Sequence, residues 1–187
     1  AIFCSNIVFP VFGCATMRPL CPFPIGDNMS ITRVENSFSV VSSLIISSGY
    51  NGVKCYIDQP IKLYATPTTR LTSPVTLSCS FAETFGNWTA DVGAESMTHM
   101  GGYNCRKIAG SIFMSQHSYG NAIDISMIDG VSIANNWEEP ARKACGHSTN
   151  ILTPATNAAH HDHLHLDKGM GLPCWVRKLK ESVSLAF

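Results

Sequence analysis

The sequence is short of charge. Asp, Glu, Lys and Arg make up 14% of its 187 residues, and 13 cations balance 13 anions. A chain with no net charge gives no general electrostatic argument for a polyanion such as DNA or an acidic membrane, and no nucleic-acid partner is expected. Long apolar runs are missing too. Ile7 to Phe12 and Val40 to Ile46 are short or broken by serines, whereas a membrane-crossing helix needs about 20 apolar residues. No transmembrane segment is therefore expected. There is no Cys-x-x-Cys pair to hold a structural zinc, and no Gly-x-Ser-x-Gly elbow to present a nucleophilic serine. Cys145 and His147 are close in sequence, but on a helix that spacing points them apart. No internal repeat or low-complexity tract appears.

Apolar residues and cysteines are plentiful. Hydrophobic residues reach 45%, enough to build the core of one ordinary domain. Eight scattered cysteines read as a disulfide framework and so as an oxidising compartment. The expected location is extracytoplasmic: secreted, periplasmic, or associated with a virion or particle. Residues 1–50 differ from the rest. Cys4, Cys14 and Cys21 lie among Pro10, Pro19, Pro22 and Pro24, which reads as an irregular, stapled segment. The turn signal Ser47-Ser48-Gly49-Tyr50-Asn51-Gly52 closes it, and residues 51–187 form the main domain.

The pattern predicts an α+β fold. Strands are expected over parts of Ser37 to Ser48, over Cys55 to Tyr64, Tyr103 to Ile108, Ala122 to Met127, Val131 to Ala134 and Leu164 to Leu166. Ala65 to Pro74 reads as loop. Phe81, Phe85 and Trp88 are spaced for one face of a helix within Leu77 to Val92. Asn136 is placed to cap a short helix from Trp137 to Ala144. Asp129-Gly130 marks a hairpin turn.

The densest chemistry is His160-His161-Asp162-His163-Leu164-His165-Leu166-Asp167, which holds four of the seven histidines. On an extended strand i and i+2 share a face, so His163 and His165 aim at one point. Upstream, His117 and Asp124 are separated by Gly120, which lets the chain bend and bring them together. Two imidazoles and one carboxylate make a three-ligand set for a borderline metal such as zinc. Such a set leaves a fourth position for water, as catalytic zinc sites do.

Ser115-Gln116-His117-Ser118-Tyr119-Gly120-Asn121-Ala122-Ile123-Asp124-Ile125, taken with Ala158-Ala159-His160-His161-Asp162-His163-Leu164-His165-Leu166-Asp167, closely resembles the extensin-like C-terminal domain family. That family looks related to the zinc D-Ala-D-Ala carboxypeptidase, lysostaphin and murein endopeptidase superfamily. Tyr103-Asn104-Cys105-Arg106 and Leu77-Ser78-Cys79 resemble further family segments, so the likeness runs from about Cys55 to Cys174. It implies Zn2+ on His117, Asp124 and His165. It implies a small antiparallel sheet carrying the ligands, with helices on one side, and hydrolysis of a peptide bond in bacterial peptidoglycan. The superfamily places a carboxylate three residues before the last ligand or a histidine two before it, and this chain has both, Asp162 and His163. The strand argument favours His163 as the base, and Asp162 is the alternative. Arg106 matches an arginine that sits beside the scissile carbonyl in relatives, where it would hold an oxyanion or a substrate carboxylate.

His160 is expected near the site, His161 in solvent, and Asp167 behind a ligand or at the strand end. His99 and His147 read as structural. The stretch from Asn136 to His160 is short for the family, which bears on the cleft wall and substrate preference. The rival reading is a non-catalytic, zinc-containing module for cell-wall binding or for particle or surface assembly, with residues 1–50 meeting an assembly partner. An intact ligand set with a candidate base argues against it.

Overall fold

The structure is a computed structural model. It describes residues 52–170, together with the backbone of three strands outside that span, at 38–40, 45–48 and 175–176. The expected stapling of Cys4, Cys14 and Cys21 lies outside the described residues. The strands are β1 (Phe38–Val40), β2 (Ile45–Ser48), β3 (Lys54–Ile57), β4 (Pro60–Ala65), β5 (Arg70–Ser78), β6 (Ser96–Gly101), β7 (Ala122–Ile128), β8 (Val131–Ser132), β9 (Asn150–Leu152), β10 (Leu164–Asp167) and β11 (Trp175–Val176). Two helices join them, α1 (Cys79–Val92) and α2 (Glu138–Ala144). Nine strands form one sheet in the order β1-β4-β5-β6-β7-β10-β9-β11, with β8 added beside β7, while β2 and β3 pair as a separate ribbon. β1 and β2, before residue 50, pair with β4 and β3 after it.

The α+β class holds, with both helices over the sheet in one core. The sheet is larger than expected, and it is mixed. β5–β6 and β9–β11 are parallel pairs. A parallel pair needs a crossover of a dozen or more residues, and α1 fills that role between β5 and β6.

α1 follows from local chemistry. The Ser78 side chain accepts from the Phe81 N–H at 3.3 Å, and Gly93 ends the helix in the left-handed conformation. Phe81, Phe85 and Trp88 are buried on the sheet-facing side. The Trp88 indole donates to the Pro140 carbonyl at 3.1 Å and ties α1 to α2. Asn136 does not cap α2. Its amide donates to Ser132 O at 3.1 Å, and the helix starts one residue later without a side-chain cap.

Three other expectations change. Cys55 to Tyr64 is two strands, broken at Asp58-Gln59, where Gln59 has φ 47°. Strand β5 begins at Arg70, inside the expected loop; Pro74 falls where the β4–β5 register breaks, so its missing N–H costs no ladder bond. Tyr103 to Ile108 is not a strand and makes only an isolated bridge, Lys107 to Met114. Among the described residues the disulfide expectation is met: Cys55 bonds Cys105, fastening β3 to the chain beyond β6, and Cys79 and Cys145 are also disulfide-bonded. Among the described residues no helix is long and apolar enough to cross a membrane.

Gly120 links this frame to the functional stretch. It has φ +66°, and its carbonyl accepts from the Ser78 N–H at 2.9 Å at the start of α1. A Cβ there would stand 2.7 Å from the Ser78 nitrogen, which is backbone and cannot swing away. Gly120→Ala is therefore expected to lower stability by more than about 2 kcal/mol, combining left-handed strain with the clash. Urea unfolding would check this, and an unchanged midpoint would count against the packing described.

Candidate metal centre

Alternation along two neighbouring strands builds the site. On β7, Ile123 and Ile125 enter the core; on β10, Leu164 and Leu166 do the same. The residues between them, Asp124 and His165, are thereby turned to the opposite face. The antiparallel register sets His165 directly across from Asp124. The third group comes from a 3₁₀ turn at Gln116–Tyr119, where Ser115 caps the turn and Gly120 ends it. His117 on this turn is buried.

The three side chains converge. His117 Nε2 lies 3.2 Å from His165 Nδ1 and 3.1 Å from Asp124 Oδ2, and His165 Nδ1 is 2.7 Å from Asp124 Oδ1. Donors bound tetrahedrally to one ion at about 2.0–2.1 Å lie about 3.3 Å apart, so the spacing suits a metal. The outer partners of the rings point the same way. His117 Nδ1 faces the Gly102 carbonyl, which only accepts, so that nitrogen carries the proton. His165 Nε2 faces Asp167 Oδ2 at 3.0 Å, and Asp167 Oδ1 in turn accepts from Asn150 Nδ2 and the Gly169 N–H, both at 2.7 Å. With the His117 proton turned outward, and the His165 proton on Nε2 when that ring is neutral, the inner nitrogens and the Asp124 carboxylate present lone pairs to one another. Such an arrangement calls for a cation between them. His117, Asp124 and His165 can hold a metal ion.

Without one, a proton takes that role. Burial opposes charge on His165, but the carboxylates of Asp124 and Asp167 outweigh it and raise the ring to about 9. Burial likewise opposes the Asp124 charge, yet hydrogen bonds and charge from His117 and His165 hold its carboxyl well below the usual range. Asp167 is held low as well: His165 and Asn150 overcome its burial.

A cleft of about 470 Å³ opens over the group, lined in part by Arg106, Ile108, His160, His163 and Met170. His163 is buried, with Nε2 3.7 Å from Asp124 Oδ1 and Nδ1 2.8 Å from Asp162 Oδ1. A carboxylate only accepts, so Nδ1 donates and Nε2 is left as the open, basic nitrogen. The hydrogen bond from His163 holds the Asp162 carboxyl below its usual range. Asp162 thus stands behind His163 and is not among the residues lining the cleft. His160 lines the cleft, its Nδ1 bonded to Asn157 Oδ1 at 2.8 Å. Burial, with His165 and His163 beside it, lowers its pKa to about 4. His161 is exposed, against the Ala158 carbonyl. His99 and His147 sit apart, bonded to Ser73 and Asp91.

Two supporting groups escaped the sequence reading. A Cβ at Gly102 would meet Val75 Cγ2 at 2.5 Å, and only glycine lets this carbonyl approach His117. Asn150 carries no local signal, because its partner Asp167 is brought by strand pairing.

The comparisons with known proteins place the chain in a family. A family model described as Extensin-like protein C-terminus matches residues 33–174. The match spans well over half of the sequence, and the chain belongs to this family. No curated protein and no solved structure matches it.

Metal binding must displace the His165 proton. The ring's pKa, about 9 against an ordinary 6.5, keeps it protonated below about pH 9. The sign follows: raising the pH removes the competitor. Apparent metal affinity is expected to rise about tenfold per pH unit and to level off above the ring's pKa. Asp167→Asn, which weakens the support behind His165, is expected to cost roughly 10- to 100-fold in affinity. Competition titrations against a chromophoric chelator would measure both; a pH-independent affinity would contradict the lone-pair arrangement.

Proposed function

We propose that this chain, a member of the extensin-like C-terminal family, is a zinc-dependent hydrolase. It would cleave peptide bonds in bacterial cell-wall peptidoglycan, outside the cytoplasm. The observation that carries this reading is the convergence of His117, Asp124 and His165 within a cleft that also presents the open nitrogen of His163. Two imidazoles and a carboxylate leave a coordination position free, the arrangement of catalytic rather than closed structural zinc. The relation that the extensin-like family looks to have with the D-Ala-D-Ala carboxypeptidase, lysostaphin and murein endopeptidase superfamily supports a peptidoglycan peptide as substrate. The disulfides support an oxidising, extracytoplasmic setting.

When bound, the zinc ion supplies the Lewis acidity that makes water nucleophilic near neutral pH and polarises a carbonyl oxygen. The chain's own residues do the rest. His163 takes up a proton at Nε2, and Asp162, 2.8 Å from Nδ1, fixes that tautomer and steadies the imidazolium that results. Asp167 keeps the His165 proton on Nε2, so that Nδ1 remains a ligand. Arg106, on the cleft wall, offers a fixed cationic fork to a developing oxyanion or a substrate carboxylate.

Digestion of purified peptidoglycan with and without a chelator, with product masses read out, tests the reading. Chelator-sensitive release of peptides is expected, and the masses would name the bond. His117→Ala, Asp124→Ala and His165→Ala should each abolish metal binding and activity together. His163→Ala should keep the metal and lower turnover by roughly 100-fold or more, with a smaller loss for Asp162→Asn. The reverse order would assign the base to Asp162. One zinc bound per chain with no bond cut would favour a non-catalytic wall-binding or assembly module.

A further inference from the structure

Beside the cleft, residues 107–114 form a small hairpin whose apolar side chains face outward. Ile108 is 50%, Ile112 79% and Phe113 70% exposed. Met170, fully exposed, shares the cleft mouth with Ile108. The hairpin closes on itself. The Ile108 N–H donates to Phe113 O at 2.9 Å, the Ser111 N–H to Ile108 O at 3.0 Å, and the Phe113 N–H to Ser111 Oγ at 3.1 Å. Gly110, with φ 71°, makes the turn. These backbone polar groups are satisfied within the loop, which lowers the cost of moving the tip out of water.

Charge is uneven along this part of the chain. The chain is neutral as a whole, but residues 96–123 contain no Asp or Glu. The ionised side chains of that stretch, apart from histidines, are Arg106 and Lys107, both exposed at the base of the hairpin. A protruding apolar tip on a cationic base complements an anionic lipid surface. The acyl boundary takes apolar side chains without needing a matching pocket, and the headgroups attract the cations.

We propose that the 107–114 hairpin is a membrane-contact element, with Ile112 and Phe113 entering the headgroup boundary of an anionic bilayer and Lys107 pairing with its lipid phosphates. The contact does not depend on whether the cleft cuts a bond. It would hold the cleft mouth close to the lipid surface, because Ile108 belongs to both features.

Sedimentation of the full chain with vesicles tests this. Binding is expected to vesicles of phosphatidylcholine and phosphatidylglycerol in equal parts, with little to phosphatidylcholine alone, and it should weaken with salt. An Ile112→Ser, Phe113→Ser double variant should bind about tenfold or more weakly, and Lys107→Gln about fivefold. Both tip residues are largely exposed, so thermal unfolding should be unchanged and loss of fold excluded. Phe113→Trp should show blue-shifted emission, as a difference from the parent chain, when the mixed vesicles are added. Three results would overturn the proposal: no binding to the mixed vesicles, binding that survives the double variant, or an unshifted Trp. If the double variant leaves vesicle binding intact but dissolves a dimer, the hairpin is a contact between copies.

Discussion

The site depends on one cross-strand pair. Asp124 on β7 and His165 on β10 lie directly opposite each other, with core isoleucines and leucines on either side. Side chains alternate along a strand, so a slip of one residue in either strand would carry its ligand into the core and expose Ile125 or Leu164 in the cleft. The apolar residues between the ligands therefore do as much to define the site as the ligands themselves. Burying Ile123, Ile125, Leu164 and Leu166 under the helices makes the slip costly, and the register is held from behind.

The support of each ring follows a common scheme. His117 rests on the Gly102 carbonyl, His165 on Asp167 and His163 on Asp162. In every case an acceptor stands at the outer nitrogen, so that the neutral ring with its proton there turns the inner lone pair towards the cleft. The carboxylate that supports His165 is itself held by Asn150 and the Gly169 amide. A chain with few charged residues has gathered several into one buried cluster, where the low dielectric strengthens every pairing. The same cluster is poised to accept a cation, and the raised pKa of His165 expresses that demand when a proton fills it.

The cleft wall is assembled from segments without regular structure. Arg106 and Ile108 follow directly on Cys105, which is fastened by its disulfide to β3. The Ser118 hydroxyl donates to the Arg106 carbonyl at 2.6 Å and accepts from the Arg106 N–H at 2.9 Å, tying this wall to the turn that carries His117. Wall and ligand thus share anchors, and the apolar hairpin next to them springs from the same fixed base.

Much of this was legible in the residues alone. The donor types, the two-residue spacing of His163 and His165, the bend permitted at Gly120 and the aromatic face of α1 are local properties. They follow from side-chain chemistry and from strand and helix periodicities, which a single segment expresses by itself. The mixed sheet was not legible, because pairing partners are chosen across the chain and the parallel β5–β6 pair exists only once α1 has crossed between them. Nor was the choice between Asp162 and His163 for the cleft-facing position, or the purpose of Gly102 and Asn150. The last two depend on which atom stands behind the His117 ring and the Asp167 carboxylate, and that atom comes from another strand or loop; the first depends on which side chain turns towards Asp124 of β7. The sequence by itself determined which groups were available to bind a metal. Tertiary packing decided which lone pairs meet and, at His117, where the proton sits, because a ring's tautomer is set by the partner of its far nitrogen.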